Sequence, residues 1–279
     1  MLYPTQLLAD ALATRLVENY HEMFGAREPA CVDLVAVATR LTLQVIGDSD
    51  ALYHDAHHTA LVTMVGQDIL RGRMLFAQLE PTDWTHITLA LLLHDIGFVR
   101  GVCPGDGPGR CVMDASGATV ALPRGASDAW LAPYHVERGK IAVRARFADI
   151  DGIDAGRIAL AIERTRFPVP EGRDHAGTSD EAGLVRAADL IGQLADPLYL
   201  RRVGALYQEM VETGIAAPLM TGAELGELLL SLGGKDSREA RAVVENAFVV
   251  GVRELRTSLG LLPRDPITVG PRGLEPFAR

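Results

Sequence analysis

Apolar residues return every three or four positions along almost the whole chain. That period, rather than the two-residue alternation of half-buried strands, limits the fold to packed helices. Leu7, Leu8, Leu12, Leu16 and Val17 mark a first helix, and Leu34, Val35, Ala38, Leu41, Leu43 and Val45 a second. Asp50 is placed to cap a third over 51–79. Pro81, whose missing N–H costs nothing in a first turn, opens a fourth that runs to about His94. Helical patterns continue at 127–147, 154–165, 180–194, 197–213, 221–232 and 236–258. The expected fold is all-α, with no internal repeat and no β-rich half.

Two interior stretches break the period. Glycines and prolines crowd the start of 97–125, where 111–113 and 119–121 flank a turn-like Asp114–Ala115–Ser116–Gly117. This reads as an irregular insertion or small hairpin, and its place directly after His94–Asp95 makes it a candidate lid. The stretch 167–179 is loop-like, and the tail at 261–279 reads as extended.

Composition narrows the function. Aromatics make up only 5% of the chain, so Leu, Ala, Val and Ile must fill the core. A net charge of -9 argues against a general nucleic-acid binder, which needs a basic face. It leaves room for a phosphate-bearing small molecule, because a bound cation reverses the local sign. Cys31, Cys103 and Cys111 give no disulfide framework, and the N-terminus has neither a basic n-region nor a continuous apolar run. The longest apolar block, 87–93, is far short of the roughly 20 residues of a membrane span. The expected setting is the cytoplasm, with no membrane.

Three polar features interrupt the apolar pattern. His54, His57 and His58 fall within five positions, and on a helix His54 and His58 would share a face. The run Leu89-Ala-Leu-Leu-Leu ends in His94–Asp95, then Ile96 and Gly97. A His–Asp pair at the end of a buried helix is costly unless satisfied, and a divalent cation would satisfy both. Asp189 stands inside the apolar Ala187–Ala188–Asp189–Leu190–Ile191. Taken singly, each has an ordinary explanation as a helix cap or a hydrogen-bonded polar residue. His21 and His86 carry only that ordinary explanation.

Together and in this order, His58, His94–Asp95 and Asp189 resemble the H…HD…D signature of the HD superfamily of metal-dependent phosphohydrolases. Tyr53–His54–Asp55–x–x–His58 is similar to the YHNxxH motif of its phosphodiesterase-like branch, and Ala159 to Thr165 is similar to the helix preceding the last aspartate. The resemblance covers about 50–197. It implies an HD-domain helical bundle over 51–197, with N-terminal helices at 1–50, C-terminal helices at 198–260 and the insertion at about 97–125. It implies His58, His94, Asp95 and Asp189 as metal ligands, Asp95 bridging to any second ion, and His54 as the general acid. The implied cofactor is one or two divalent ions (Zn, Mn, Fe, Ni or Mg). The implied substrate is a phosphomonoester or phosphodiester, with nucleotides the expected class.

The sequence departs from the family in two places. Asp55 replaces the motif's Asn, and Phe98 stands where many relatives place another histidine. Relatives with two metals use extra histidines before the last aspartate. His135 is the additional candidate here, while His175, in a Pro/Gly-rich loop, is expected to be exposed. Arg100, Arg110, Arg124 and Lys140 are candidates for substrate phosphate by position. Two other readings share the scaffold: an HD-type diiron oxygenase, and a non-catalytic metal-binding regulatory module whose outer helices serve homodimerisation or partner docking.

Overall fold

The computed structural model describes residues 3–167, 169, 170, 172–175 and 180–214. The helical patterns at 221–232 and 236–258 and the tail at 261–279 lie outside the described residues. The chain is all-α. Its helices are α1 (Pro4–Phe24), α2 (Pro29–Gly47), α3 (Ala56–Arg73), α4 (Pro81–Leu93), α5 (His135–Phe147), α6 (Ala155–Glu163), α7 (Glu181–Leu194) and α8 (Tyr199–Glu212). Among the described residues the only sheet is one antiparallel pair, β1 (Arg110–Val112) and β2 (Thr119–Ala121), with Cys111 opposite Val120.

The core forms around α4. Pro81 starts it, and a reciprocal cap between Glu80 and Asp83 satisfies its first turn. Eleven of its thirteen residues are buried, so it has no solvent face. It packs against α2, α3, α6 and α7. Its own Trp84 is buried, the indole N–H donating to Gln67 Oε1 of α3 at 2.8 Å. By length and composition α2 alone among the described helices could cross a membrane, but Val35, Leu43 and Ile46 of its inner face are buried in the core that α1 and α4 share.

Glycine sets the closest approach in the bundle. A Cβ on Gly192 would lie 2.9 Å from the Cα of Val62. Only a residue without a side chain lets α7 come down on α3 there. Asp189 precedes Gly192 by one turn and His58 precedes Val62 by one turn, so this contact brings the two polar side chains together.

Two helix starts differ from the sequence reading. The third helix begins at Ala56, capped by Asp55, whose carboxylate accepts the His58 N–H at 2.9 Å. Asp50 instead ties distant loops, accepting from the Asp128 N–H at 2.6 Å and pairing with Arg100 at 2.8 Å. The pattern at 127–147 divides into a 3-10 turn at Asp128–Leu131 and then α5.

The insertion does form the hairpin, and a buried ion pair pins it down. Arg138 of α5 is fully buried. It reaches both Asp106 oxygens at 3.0 and 2.9 Å and the carbonyls of Gly97, Val99 and Val112 at 2.7 to 2.9 Å.

Candidate metal centre

The end of α4, the first turn of α3 and the middle of α7 meet at one point. His58 Nε2 lies 3.4 Å from His94 Nε2, 3.4 Å from Asp95 Oδ2 and 3.4 Å from Asp189 Oδ1. His94 Nε2 lies 3.0 Å from Asp95 Oδ2 and 3.6 Å from Asp189 Oδ1. His58, His94 and Asp95 are buried, and the Asp189 side chain is 17% exposed. Ligands held about 2.1 Å from one cation, at angles of roughly 90–120°, would lie about 3.0–3.6 Å apart.

The chemistry of the group fits a cation. Asp95 Oδ2 is buried and makes no hydrogen bond, although two imidazole nitrogens are beside it. His94 Nδ1 is 2.8 Å from the Leu91 carbonyl and so carries the proton, which leaves the Nε2 lone pair aimed inward. Burial alone would lower the His58 pKa, but the Asp189 and Asp95 carboxylates outweigh it and push it up to about 10. Burial likewise opposes charge on His94, and the Asp95 charge reverses that shift upward. Burial would raise the Asp95 pKa, yet the charges of His94 and His54 hold it well below the usual carboxylate range. These opposed shifts mark buried carboxylates that need positive charge beside them, which a divalent ion also provides.

His54 reaches the centre by a different route from the one its spacing suggested. It precedes the cap of α3, so it is not on the helix with His58, yet the two rings lie 5.7 Å apart edge to face. Glu209 of α8 holds it. Oε2 sits 2.6 Å from His54 Nδ1, and Oε1 accepts the Tyr53 N–H at 2.6 Å and the His54 N–H at 3.3 Å. Burial would raise the Glu209 pKa, but the hydrogen bonds from His54 and the two backbone amides lower it. Sequence reasoning missed Glu209, and nothing in the pattern of an amphipathic α8 marked it.

Phe98 is the centre of an aromatic stack. Its ring lies 4.3 Å from His54 at 13° and 4.4 Å from His135 at 22°. His135 thus reaches the neighbourhood, with Nδ1 2.5 Å from the Ala132 carbonyl, and burial lowers its pKa. Arg202 of α8 fastens the same corner. It sits over the Tyr53 ring at 5.0 Å and pairs with Asp55 at 2.8 Å and Asp196 at 3.3 Å.

A cavity of about 260 Å³ opens from the centre and is bordered mainly by α7 and α8. Of the 97–125 insertion, Phe98 lines it, and no described residue of the hairpin beyond Phe98 does. The four expected phosphate-binding cations lie elsewhere. Arg100 pairs with Asp50 and Asp128, Arg110 with the Thr119 hydroxyl, Lys140 with Glu137 and Glu163, and Arg124 is exposed. The His175 side chain is 11% exposed, not solvent-facing as expected, and it points at Glu163 at 3.7 Å. His57 turns to Asp196 at 3.5 Å. His86 is fully engaged, with Nδ1 at the Thr82 carbonyl and Nε2 accepting the Asp154 N–H.

A family model described as Npun_R2479-like matches residues 2–228, and the chain belongs to that family. No curated protein and no solved structure matches the chain.

Proposed function

We propose that this member of the Npun_R2479-like family is a metal-dependent phosphohydrolase of the HD type. The observation that carries the reading is the buried group of His58, His94 and Asp95, with Asp189 Oδ1 3.4 and 3.6 Å from the two histidines and a carboxylate-held histidine beside it. His58, His94, Asp95 and Asp189 would hold a divalent cation, which supplies Lewis-acid charge to a phosphoryl oxygen and activates water.

His54 does the proton work. Its Nδ1 proton is committed to Glu209, so Nε2 is the nitrogen free to serve a substrate. The Glu209 carboxylate stabilises the protonated ring and fixes its orientation. As water oxygen bonds to phosphorus and the ester P–O bond breaks, His54 delivers its proton to the departing alcohol oxygen. Phe98 packs on the imidazole face and keeps it from turning.

A diiron oxygenase on the same scaffold is less supported, because Phe98 puts a hydrocarbon ring where a further ligand would stand. The test is a phosphoester panel run with manganese, zinc, nickel, iron and magnesium, beside elemental analysis of protein purified without added metal. Turnover that needs the metal and falls by a factor of about 100 or more in His54→Ala supports the reading. Oxygen consumption with two irons per chain and no phosphate release would overturn it.

A further inference from the structure

Resting on the hydrolase reading, we infer that the substrate is the phosphate ester of a compact, largely apolar alcohol, rather than a nucleotide or a sugar phosphate. The first observation is charge. Among the described residues no lysine or arginine lines the cavity. Three carboxylates do: Asp95, Asp189 and Glu209. A single divalent cation and a protonated His54 bring three positive charges, which these three carboxylates already match, so each phosphoryl group adds further negative charge. A second or third phosphate would be desolvated against carboxylates with no cation among the described residues to meet it.

The second observation is the wall. Leu190, Leu194, Leu206 and Met210 line the cavity, and Phe98 lines it stacked on His54. Some of the neutral polar groups there are already engaged. The Thr165 hydroxyl donates to the Ile162 carbonyl at 2.8 Å, and the Gln193 amide lies 3.5 Å from the Tyr199 hydroxyl. A ribose or hexose would bury several hydroxyls with few partners, which costs free energy for each one. A hydrocarbon group loses nothing there.

In the reaction, water adds to phosphorus, the ester P–O bond breaks, the alkoxide takes the His54 proton, and a proton from the attacking water is released to solvent, from which His54 is reprotonated. The products are inorganic phosphate and an apolar alcohol, with no oxidant or second substrate. The class of reaction upstream is therefore phosphorylation of such an alcohol, or its release as a monoester from a larger diester.

The test uses the full chain loaded with manganese. Turnover is measured on n-alkyl phosphates from methyl to octyl, on naphthyl phosphate, AMP, ATP and a hexose phosphate. Binding of hexylphosphonate and of AMP is measured by calorimetry. The expected kcat/KM rises about fourfold for each added methylene, levels off when the chain fills the cavity, and leaves AMP roughly 100-fold below hexyl phosphate. Hexylphosphonate binds and AMP does not. Met210→Lys, which sets an ammonium into the wall, narrows the gap to AMP. Turnover of AMP or ATP as fast as the alkyl esters overturns the inference and leaves the hydrolase reading standing. No turnover of any ester, with hexylphosphonate still preferred, overturns the hydrolase reading and keeps the ligand class. Neither turnover nor binding overturns both.

Discussion

Glu209 and His54 stand 155 positions apart in sequence and 2.6 Å apart in space. Glu209 also accepts two backbone N–H groups of the turn that carries His54, so one carboxylate fixes both the ring and its support. Glu209→Gln keeps the shape and removes the charge that stabilises the protonated imidazole. We expect kcat to fall about 10-fold or more with KM little changed, since the interaction matters most while the proton moves. Stability should drop by about 1–3 kcal/mol, the usual cost of weakening a buried hydrogen-bonded group. An unchanged kcat across the pH profile would show that His54 does not need this partner.

Metal binding should be visible without any substrate. A ligand present at about 100 times its Kd stabilises the folded state by about 2.7 kcal/mol, which raises Tm by several degrees. Manganese or zinc is expected to do so in the native chain. Asp189→Ala removes a donor that lies 3.4 Å from His58 Nε2 and 3.6 Å from His94 Nε2, and it should abolish most of the shift. An equal Tm shift in both proteins would place the metal elsewhere.

Gly97 follows the His94–Asp95 pair for a steric reason. A Cβ there would stand 1.9 Å from the His135 carbonyl oxygen and 2.6 Å from the Gly139 nitrogen, both backbone atoms of α5. Gly97→Ala must push α5 away from the end of α4, and with it the stack of His135 on Phe98. We expect a loss of about 3 kcal/mol or more in denaturant unfolding, above the ordinary range for overpacking because backbone cannot rotate aside. A midpoint within error of the native chain would contradict the close approach.

These three positions show what the sequence makes legible. The helical period located α1, α2, α4 and α7 closely, because each buries a stripe or a whole surface. The polar cluster was legible through its cost: His94, Asp95 and Asp189 sit where polar groups must be satisfied. The start of α3 was not, because Asp50 and Asp55 are equally good caps and only the His58 N–H chooses between them. Glu209 was hidden for a related reason. One acid among the polar residues of an amphipathic helix looks solvated until the fold turns it inward. The role of Gly97 as a contact surface, beyond that of a helix breaker, depends on α5 arriving from elsewhere in the chain.

The insertion gives a pH-dependent prediction independent of the metal centre. Asp106 and Arg138 form a pair with side chains 2% and 0% exposed. Burial would raise the Asp106 pKa, but Arg138 and the Val112 and Cys103 amides hold it below its ordinary value. A folded-state pKa lowered in this way gives stability that is present above the unfolded value and lost as pH falls through the folded one. Asp106→Asn leaves the Arg138 charge buried with only carbonyl partners, so at pH 7 it should be less stable by about 3–5 kcal/mol. Below the unfolded value of about 4 the unfolded chain takes up this proton before the folded one, so the native advantage fades and the gap between the two proteins should narrow there. Urea unfolding of both from pH 7 to pH 3 measures it. A gap that stays constant or widens on acidification would mean that the carboxylate charge is not what holds the hairpin to α5.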